Sequence, residues 1–396
     1  MTRILRFIET SNPHYGGPVE SARRFAESWA RKGHRQDLLT LDPPGETHLT
    51  DYPGEIFALG PPRDGKLLHR YRYSPQVVPW LKARAGDYDA VIVGGLWRYM
   101  ARAAHKALAG GPTPYFVYTH GMLDPYFRES QKLKHMGKQL SWWFAEGPLL
   151  RHARHVLFTC EEEGILARNA FWPYRVDGVS VGYGTTDVGG DPQAQTAAFR
   201  DAVPGLGGRR YLLFLSRIHP KKGCDLLVEA FAGIAACNPD LDLVIAGPDQ
   251  VGWVAALKAR AAALGIGARL HFPGMLKGDV KTGAFRGADA FVLTSHQENF
   301  GIVVAEAMAC GIPVLISDKV NIWREVVADG AGMVEPDTLV GATTLLARFS
   351  VLTPEERAAM GVRARESFMQ RFHVERAADA LMALIERRVR EGRIAA

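Results

Sequence analysis

The first part of the chain alternates short apolar runs with stretches whose apolar positions recur at helical spacing. Residues 4–8, which are apolar apart from Arg6, predict a short buried strand, and residues 19–32 carry the helical spacing. A turn containing Gly16 and Gly17 separates them, and a second strand is predicted at 36–41. This order of strand, turn, helix and strand is the unit that builds parallel sheets. Further buried strands are predicted at 90–93, 115–119 and 155–159.

The same alternation restarts after a glycine-rich stretch near the middle of the chain. Frequent glycines with Asp, Thr and Gln between them predict a linker over 185–209. Beyond it, strands are predicted at 211–215, 241–246, 269–272, 290–294 and 313–317. The predicted fold is α/β, with two successive Rossmann-like parallel sheets that face each other across a ligand-binding cleft. The predicted domains are 1–184 and 210–365, and we expect the helical segment 366–396 to pack back on the first domain.

Composition is typical of a soluble protein with a hydrophobic core. Hydrophobic residues make up 47% and charged residues 23% of the 396 residues, which excludes disorder and a coiled coil as the main architecture. No apolar run reaches the roughly 18 residues of a spanning helix, and Glu9 interrupts the first apolar stretch where an export signal would continue. The four cysteines are far apart and lack metal-ligand spacing. We therefore expect reduced cysteines, no metal site and a cytoplasmic location.

The net charge of +6 lies entirely in the first half of the chain. Residues 1–184 carry 24 Lys and Arg against 18 Asp and Glu, whereas residues 185–396 carry 24 of each. An excess of this size fits nucleic acid, an anionic membrane, an anionic substrate or an ordinary solvated surface. Charge alone therefore does not select a partner.

The densest group of candidate functional residues lies at 298–306, between a predicted strand and a predicted helix. Gly301 permits a tight turn, and the helix that begins there presents unpaired N–H groups and a positive dipole end. Such a helix start binds anions, and Glu298 and Glu306 on either side of it could accept hydrogen bonds from sugar or ribose hydroxyls. The alternative interpretation is a capped surface helix with two solvated glutamates.

A second candidate group follows the first strand of the second half. Arg217 and Lys222 lie in the loop 216–223 at the carboxyl end of that strand, where they could converge on one phosphate group. Loops in this position of a parallel sheet bind ligands. The alternative is a turn that carries two solvated cations.

The first half offers two weaker candidates. Gly16 and Gly17 lack the G-x-G-x-x-G spacing of a dinucleotide fingerprint, and no acidic residue follows at the required distance, so nicotinamide binding is disfavoured. His120 follows a predicted strand at its carboxyl end. A glycine pair in an ordinary turn and a structural histidine are the alternatives.

In their order and spacing, these segments resemble the retaining nucleotide-sugar glycosyltransferases of family 4, which have the GT-B fold. The resemblance extends over nearly the whole chain and is strongest at 211–336. It is carried there by the segments Leu-Ser-Arg-Ile-His-Pro-Lys-Lys-Gly, Val-Ile-Ala-Gly-Pro-Asp, Pro-Gly-Met-Leu and Glu-Asn-Phe-Gly-Ile-Val-Val-Ala-Glu-Ala-Met-Ala-Cys-Gly-Ile-Pro-Val.

The resemblance implies a role for each matching residue. Arg217 and Lys222 resemble the pair that holds the donor diphosphate, and Glu306 resembles the carboxylate that binds the ribose hydroxyls. Glu298 and His120 resemble residues that contact the donor sugar. The remaining matches imply donor contacts through Gly16 and Gly17 over the diphosphate, Met275 and Leu276 beside the base, and Asn299, Phe300, Gly301 and Ile302 toward the sugar and the distal phosphate.

The resemblance also implies a reaction. It makes 1–184 the acceptor-side domain and 210–365 the donor domain, and it implies transfer with retention from a UDP- or GDP-sugar, without a metal ion or other cofactor. Two departures stand out: Gly121 follows His120 where the family often has Asp, and the Asn-Gly-Val-Asp pattern expected near 183–187 is replaced. The rival interpretations are a nucleotide-sugar epimerase of similar architecture and a non-enzymatic sugar- or nucleotide-binding protein.

A basic and aromatic stretch in the first half bears on the acceptor. Trp142, Trp143 and Phe144 follow a predicted basic helix whose cations are Arg128, Lys132, Lys134, His135 and Lys138. Such a helix could rest on anionic lipid headgroups. Together with the resemblance, this predicts a lipid-linked glycan acceptor that the protein reaches at the inner face of the plasma membrane. The process would be polysaccharide assembly, and we expect no nucleic acid as partner. The alternative is that the tryptophans belong to the core and the lysines are solvated.

Overall fold

The computed structural model describes residues 1–46, 48, 51–62, 71–126, 128 and 132–394, and the chain divides into two compact units. The first unit comprises residues 1–186 and 374–396, and the second comprises residues 187–373. Each unit is built on one parallel sheet with helices packed on it. The predicted α/β fold with two Rossmann-like parallel sheets is therefore confirmed.

The sheet of the first unit holds seven strands in its described part. They are β1 Arg3–Ile8, β2 Arg35–Thr40, β3 Ile56–Ala58, β4 Ala90–Gly94, β5 Tyr115–Tyr118, β6 His155–Phe158 and β7 Gly178–Ser180. Their order is β3-β2-β1-β4-β5-β6-β7, and every neighbouring pair is parallel. The described helices up to this point are α1 Gly17–Arg31, α2 Val77–Arg84, α3 Tyr99–Leu108, α4 Lys132–Ser141, α5 Gly147–His152 and α6 Glu161–Ala167.

Strand β1 carries the core of the first unit on both faces, as expected for a central strand of a parallel sheet. Leu5 and Phe7 pack into one hydrophobic cluster, and Ile4 packs into another with Phe25 and Trp29 of α1. Successive side chains of a strand point to opposite faces, so a strand buried on both faces is mostly apolar. Arg6 of β1, which is also buried, is an exception. This is the strand that the sequence analysis predicted at 4–8.

The sheet of the second unit holds six parallel strands. They are β8 Arg210–Leu215, β9 Leu241–Ala246, β10 Leu270–Gly274, β11 Ala290–Leu293, β12 Val314–Ser317 and β13 Gly332–Glu335, in the order β10-β9-β8-β11-β12-β13. The helices of this unit are α7 Pro192–Ala202, α8 Cys224–Ala235, α9 Val254–Ala263, α10 Gly278–Arg286, α11 Ile302–Ala309, α12 Trp323–Ala328, α13 Leu339–Ser350 and α14 Pro354–Ser367.

The stretch predicted as a linker, 185–209, contains helix α7 and belongs to the second unit from residue 187 onward. Asp191 caps this helix by accepting a hydrogen bond from the N–H of Gln193 at 2.9 Å, and Phe199 is fully buried. Helix α10 approaches α7 closely at Gly283, where a Cβ would lie 1.8 Å from the carbonyl oxygen of Gln195. The glycine and polar content around α7 concealed an amphipathic helix with its own cap.

The C-terminal segment 366–396 divides between the two units. A π-helical turn, Phe368–Phe372, stays in the second unit, whereas the last helix, α15 Val374–Ile394, belongs to the first. Leu381 and Ile385 of α15 are buried in the same cluster as Trp29. The indole of Trp29 also donates a hydrogen bond to the carbonyl oxygen of Ala378 at 3.0 Å. Apolar contacts and a hydrogen bond thus fix α15 on the first unit.

Candidate functional site

The strongest predicted site residues lie at the carboxyl ends of β8 and β11, which are neighbours in the second sheet. Residues 216–223 follow β8, and residues 294–301 follow β11. The hydroxyl of Thr294 donates to the carbonyl oxygen of Gly223 at 2.8 Å. Gly223 has φ +65°, and a Cβ there would lie 2.0 Å from the Thr294 carbonyl oxygen. The glycine therefore lets the two loops meet.

Two of the predicted site residues pair with each other. Lys222, which is 4% exposed, donates from Nζ to Oε2 of Glu298. Arg217 is exposed and donates instead to Oε1 of Gln250 at 3.1 Å. A buried ammonium group is costly unless an anion neutralises it. The site is therefore built for a negative charge beside Lys222, and Glu298 supplies that charge in this structure.

Gly301 begins helix α11 with a left-handed backbone, φ +71° and ψ +63°, in the tight turn that the sequence predicted. No side-chain hydrogen bond caps this helix start among the described residues. Two backbone hydrogen bonds anchor the loop before it. The N–H of Glu298 donates to the carbonyl oxygen of Lys319 at 2.9 Å, and the N–H of Asn321 donates to the carbonyl oxygen of Glu298 at 3.0 Å. An uncapped helix start on a fixed loop attracts anions.

Glu306, about a turn and a half into α11, pairs with a residue that the sequence analysis missed. Lys281 of α10 donates from Nζ to Oε2 of Glu306 at 2.7 Å, and both side chains are partly buried. Glu306 is therefore not simply a solvated surface glutamate. Lys281 is one of many cations in the sequence, and nothing in its spacing links it to Glu306.

The other residues predicted to contact the donor surround these pairs. Phe300 is buried, while Asn299 and Ile302 are half-buried. Met275, 57% exposed, and Leu276, half-buried, follow the end of β10. Met275 therefore presents an apolar side chain to solvent at the carboxyl edge of the second sheet.

In the first unit, the Gly16–Gly17 turn lies at the start of α1. Gly16 has φ +78°, with open space where a Cβ would lie. Tyr183, which the sequence analysis did not select, donates from Oη to the carbonyl oxygen of Gly17 at 2.5 Å. Its phenol ring also lies edge-on to His120, with ring centroids 6.0 Å apart. Tyr183 thus connects the two candidates of this unit.

His120 follows β5 with an unusual backbone and an unusual environment. Its φ is +48°, and its Nε2 is buried with no hydrogen-bond partner in the described part of the chain. The imidazole stacks on the ring of Tyr118, with the two ring centroids 5.1 Å apart. The buried guanidinium of Arg6 lies over the same Tyr118 ring, 4.8 Å from its centroid. Burial, followed by the positive charge of Arg6, lowers the pKa of His120 to about 3. His120 is therefore neutral at physiological pH.

The basic and aromatic stretch divides between core and surface. Trp142 is 1% exposed and donates from Nε1 to the carbonyl oxygen of Pro173 at 3.0 Å. Phe144, in contrast, is 75% exposed, and Lys132 and Lys134 of α4 are exposed as well. Trp142 therefore belongs to the core, as the alternative interpretation expected, whereas Phe144, Lys132 and Lys134 lie on the surface.

The other predicted cations of this stretch are engaged with the protein. His135 stacks on Phe171 at 4.7 Å, the ammonium of Lys138 lies 4.7 Å over the ring of Trp97, and Arg128 donates to a backbone carbonyl. Burial, more than neighbouring charge, lowers the pKa of both His135 and Lys138. Across the described ranges, no helix combines the length and apolar character needed to cross a bilayer.

Comparison with protein families assigns a glycosyltransferase model to each half. Residues 197–367 match the model described as glycosyl transferases group 1, and residues 16–182 match the glycosyl transferase 4-like domain.

In the residues that the structure describes, no three His, Cys, Asp or Glu side chains form a group that could hold a metal ion.

Curated relatives match parts of the chain. A D-inositol 3-phosphate glycosyltransferase of Segniliparus rotundus is 31% identical over 256 residues, which are 63% of this chain and 56% of that protein. A phosphatidyl-myo-inositol mannosyltransferase of Mycobacterium leprae is 36% identical over 129 residues, which are 32% of each. Another D-inositol 3-phosphate glycosyltransferase, of Geodermatophilus obscurus, is 36% identical over 43% of this chain and 39% of that protein. The matched regions thus span little more than half of these relatives at most.

Solved structures resemble the whole chain. A sucrose-phosphate synthase from Thermosynechococcus elongatus superposes with a TM-score of 0.74 at 20% identity, covering 98% of this chain and 99% of that one. Anabaena Alr3699/HepE in complex with UDP and glucose gives 0.72 at 18% identity, covering 98% and 100%. WaaG, a glycosyltransferase involved in lipopolysaccharide biosynthesis, gives 0.66 at 18% identity, covering 95% and 98%. At these identities the likeness establishes the fold, which is GT-B.

Proposed function

We propose that this chain is a retaining glycosyltransferase that moves a sugar from a UDP- or GDP-sugar to a hydroxyl of a glycan acceptor. Both halves match glycosyltransferase models, and a structural neighbour from Anabaena was solved in complex with UDP-glucose. The observation that carries the proposal is the pair of buried Lys222 with half-buried Glu298, beside the uncapped start of α11. A buried cation and a free helix start together suit a diphosphate.

In this proposal, Glu298 and the donor diphosphate compete for Lys222. When the diphosphate binds, its negative charge takes over the role that Glu298 has in the pair, and Arg217 adds a second cation. Glu298 can then accept hydrogen bonds from the donor sugar. As the bond to the leaving group breaks, charge grows on the diphosphate, where Lys222 and the N–H groups at Gly301 stabilise it.

The other donor contacts follow from position. Glu306, held by Lys281, offers its remaining acceptor sites to the ribose hydroxyls, and the exposed Met275 side chain offers apolar surface to the base. From the first unit, the open Gly16–Gly17 turn would receive the diphosphate. Neutral His120 would exchange a hydrogen bond with a hydroxyl of the donor sugar.

The bond changes are a substitution at the anomeric carbon. The acceptor oxygen forms its bond to that carbon on the face that the leaving oxygen departs from, so configuration is retained. The acceptor's proton passes to an oxygen of the leaving phosphate, and the nucleoside diphosphate departs. Lys222, Arg217 and the start of α11 supply the positive charge that this step needs, without a metal ion.

We further propose a lipid-linked acceptor reached by peripheral contact with an anionic bilayer. Leu133, Met136 and Leu140 follow each other at helical spacing on α4 and are exposed, and Phe144 and Trp172 beside them are exposed too. We call these five residues the amphipathic patch. Gln139 of α4 donates to the carbonyl oxygen of Trp172 at 2.6 Å, which joins this residue to the helix.

A bilayer suits the amphipathic patch because cations accompany it. Lys132 and Lys134 are exposed on the same helix, and apolar side chains beside lysines are what a helix needs to bind an anionic membrane surface.

A donor panel tests the proposed function. Purified protein is incubated with UDP-, GDP- and ADP-sugars and a mixture of glycan acceptors, with and without EDTA, and the products are examined by NMR. We expect one donor to release its nucleoside diphosphate, to give a product of unchanged anomeric configuration, and to do so in EDTA; Lys222→Ala should abolish most of this turnover. Epimerised donor without acceptor would favour the epimerase, and an intact donor after long incubation would favour a binding protein.

A further inference from the structure

The carboxylate of Glu163, in the first turn of α6, is buried and accepts four hydrogen bonds. Oε1 accepts from the hydroxyl of Thr119 and from the N–H of Gly121, both at 2.6 Å. Oε2 accepts from the hydroxyl and the N–H of Thr159, at 2.6 and 2.8 Å. Because Thr119 follows β5 and Thr159 follows β6, one carboxylate ties the carboxyl ends of two neighbouring strands together.

Two of these hydrogen bonds hold the residues on either side of His120. His120 has φ +48° and Gly121 has φ +72°, so two consecutive residues have left-handed backbone. A residue with a side chain rarely adopts this conformation, and it persists where surrounding contacts hold it. Here the contacts come from Glu163 Oε1, which binds both Thr119 and Gly121.

We propose that Glu163 is the positioning residue for His120, because its carboxylate fixes the turn 119–121 and so orients the imidazole. The proposal rests on the proposed function, in which His120 contacts the donor sugar. Glu163 itself acts through the turn, since Oε1 binds Thr119 and Gly121, the two residues next to His120. On its other sides the ring meets Tyr118 from β5 and the edge of Tyr183, and the guanidinium of Arg6 from β1 lies over the Tyr118 ring.

The isosteric change Glu163→Gln isolates this role. A carboxylate accepts with both oxygens, whereas an amide accepts with one and donates with the other. Hydroxyl groups can rotate to accept, but the N–H groups of Gly121 and Thr159 can only donate. One of the two N–H groups must therefore face the amide NH2, and with the amide oxygen toward Thr159 the turn at His120 is released.

The first readout is the imidazole itself. In the wild-type protein, the NMR signal of His120, identified by its loss in His120→Gln, should not titrate between pH 5 and 8, because the pKa is about 3. In Glu163→Gln the released ring gains water, its desolvation decreases and the pKa should rise into the measurable range.

The second readout is kinetic. Displacing a reacting group by about 1 Å can cost roughly 10²-fold in rate. We therefore expect kcat to fall about 10²-fold in Glu163→Gln, with the affinity for the nucleoside diphosphate unchanged, because its proposed cations lie in the second unit. In a His120→Ala background the same change should lower kcat no further.

Controls separate positioning from folding. Glu161→Gln alters an exposed glutamate in the same helical turn and should change neither readout. Should Glu163→Gln fail to fold, Thr119→Val removes one hydroxyl donor from Oε1 at nearly constant shape and should move both readouts in the same direction, by less. With the amide oxygen toward Gly121, Glu163→Gln keeps the turn, so Thr119→Val is measured in either case. Wild-type His120 signals in both folded variants would overturn the proposal, whatever their kcat. A wild-type protein inactive on the whole donor panel would instead refute the proposed function, and the His120 signal would still decide the role of Glu163.

Discussion

Lys222 and Arg217 are the two cations we assign to the donor diphosphate, and their surroundings differ. Lys222 is buried and ion-paired, whereas Arg217 is exposed. We expect Lys222→Ala to lower kcat by ~10²–10³, the loss typical of removing one preorganised donor to a developing anion. Arg217→Ala should also lower kcat, by a smaller factor that decreases further with added salt, because solvent and ions screen an exposed charge. Steady-state kinetics at low and high salt measure both effects.

The matched control is Arg260→Ala, which removes an exposed, ion-paired arginine from α9. It should leave kcat unchanged. Wild-type rates in both Lys222→Ala and Arg217→Ala, with intact circular dichroism, would show that the diphosphate binds elsewhere.

Glu306 gives a second prediction about single residues. A hydrogen bond from a ribose hydroxyl to a carboxylate contributes ~1.5–3 kcal/mol, so Glu306→Ala should weaken nucleoside diphosphate binding roughly 10- to 150-fold. Part of any effect could come from Lys281, which loses its partner. The control is therefore Lys281→Met, which frees Glu306 but keeps its carboxylate; it should weaken binding much less. Titration calorimetry measures both, and equal losses would assign the effect to the pair rather than to the ribose contact.

At the scale of elements, the sequence predicted the long buried strands and the helices between them. It missed β3, β7 and β13, which are three or four residues long and only partly buried or exposed, so no apolar run identifies them. It also took the region of α7 for a linker. In both cases the element is specified by tertiary packing, such as the contact of Gly283 with the α7 backbone, which leaves little periodicity in the sequence.

The junction of α15 with α1 gives a prediction about pH. Glu375 of α15 accepts hydrogen bonds from Ser28, Arg31 and Lys32. Burial works to raise the pKa of Glu375, but these hydrogen bonds and the charge of Lys32 outweigh it and lower the pKa to about 2. The ion pairs therefore stabilise the folded chain fully above the ordinary glutamate pKa, and this stabilisation disappears as the pH falls through about 2.

The test compares Glu375→Gln with the wild type by thermal unfolding. Solvent screening limits such pairs to about 1 kcal/mol or less. At pH 7 the unfolding transition of the first unit, which has about 200 residues, should therefore lie lower by up to ~2–4 °C in the variant. The difference should shrink between pH 5 and pH 2. Glu366→Gln, an exposed change in the second unit, should give no difference at either pH. A Tm difference that grows as the pH falls would contradict the assignment.

At the scale of the whole molecule, topology explains which site residues the sequence could predict. In a parallel sheet the carboxyl ends of all strands share one edge, so residues that follow β8 and β11 were expected to lie together. The partners were not predictable: Lys281 for Glu306, Tyr183 for Gly17 and Glu163 for the His120 turn are far away in the sequence. Spacing within a motif is local, whereas these contacts depend on how helices pack on the sheet.

The proposed membrane contact belongs to the scale of the whole molecule, because it would depend on the amphipathic patch and on the positive charge of the first half together. We expect the protein to sediment with vesicles that contain anionic lipid, and the bound fraction to fall with added salt. The structure narrows the cations to test to Lys132 and Lys134, since Lys138 lies over Trp97. Each lysine close to the surface contributes ~1 kcal/mol, so changing both to Glu should weaken binding at least ~30-fold.

Two further variants distinguish a bilayer from other occupants of the amphipathic patch. Changing Lys82 and Lys106, which are exposed elsewhere in the first unit, to Glu makes the same change in net charge and should weaken vesicle binding much less. Phe144→Ser removes apolar area without altering charge, so it should weaken binding at every salt concentration. Equal losses for both lysine pairs would mean that only net charge matters. No binding at low salt would leave a soluble acceptor, or a second copy of the chain seen as a dimer in sedimentation, as the better explanation of the exposed apolar side chains.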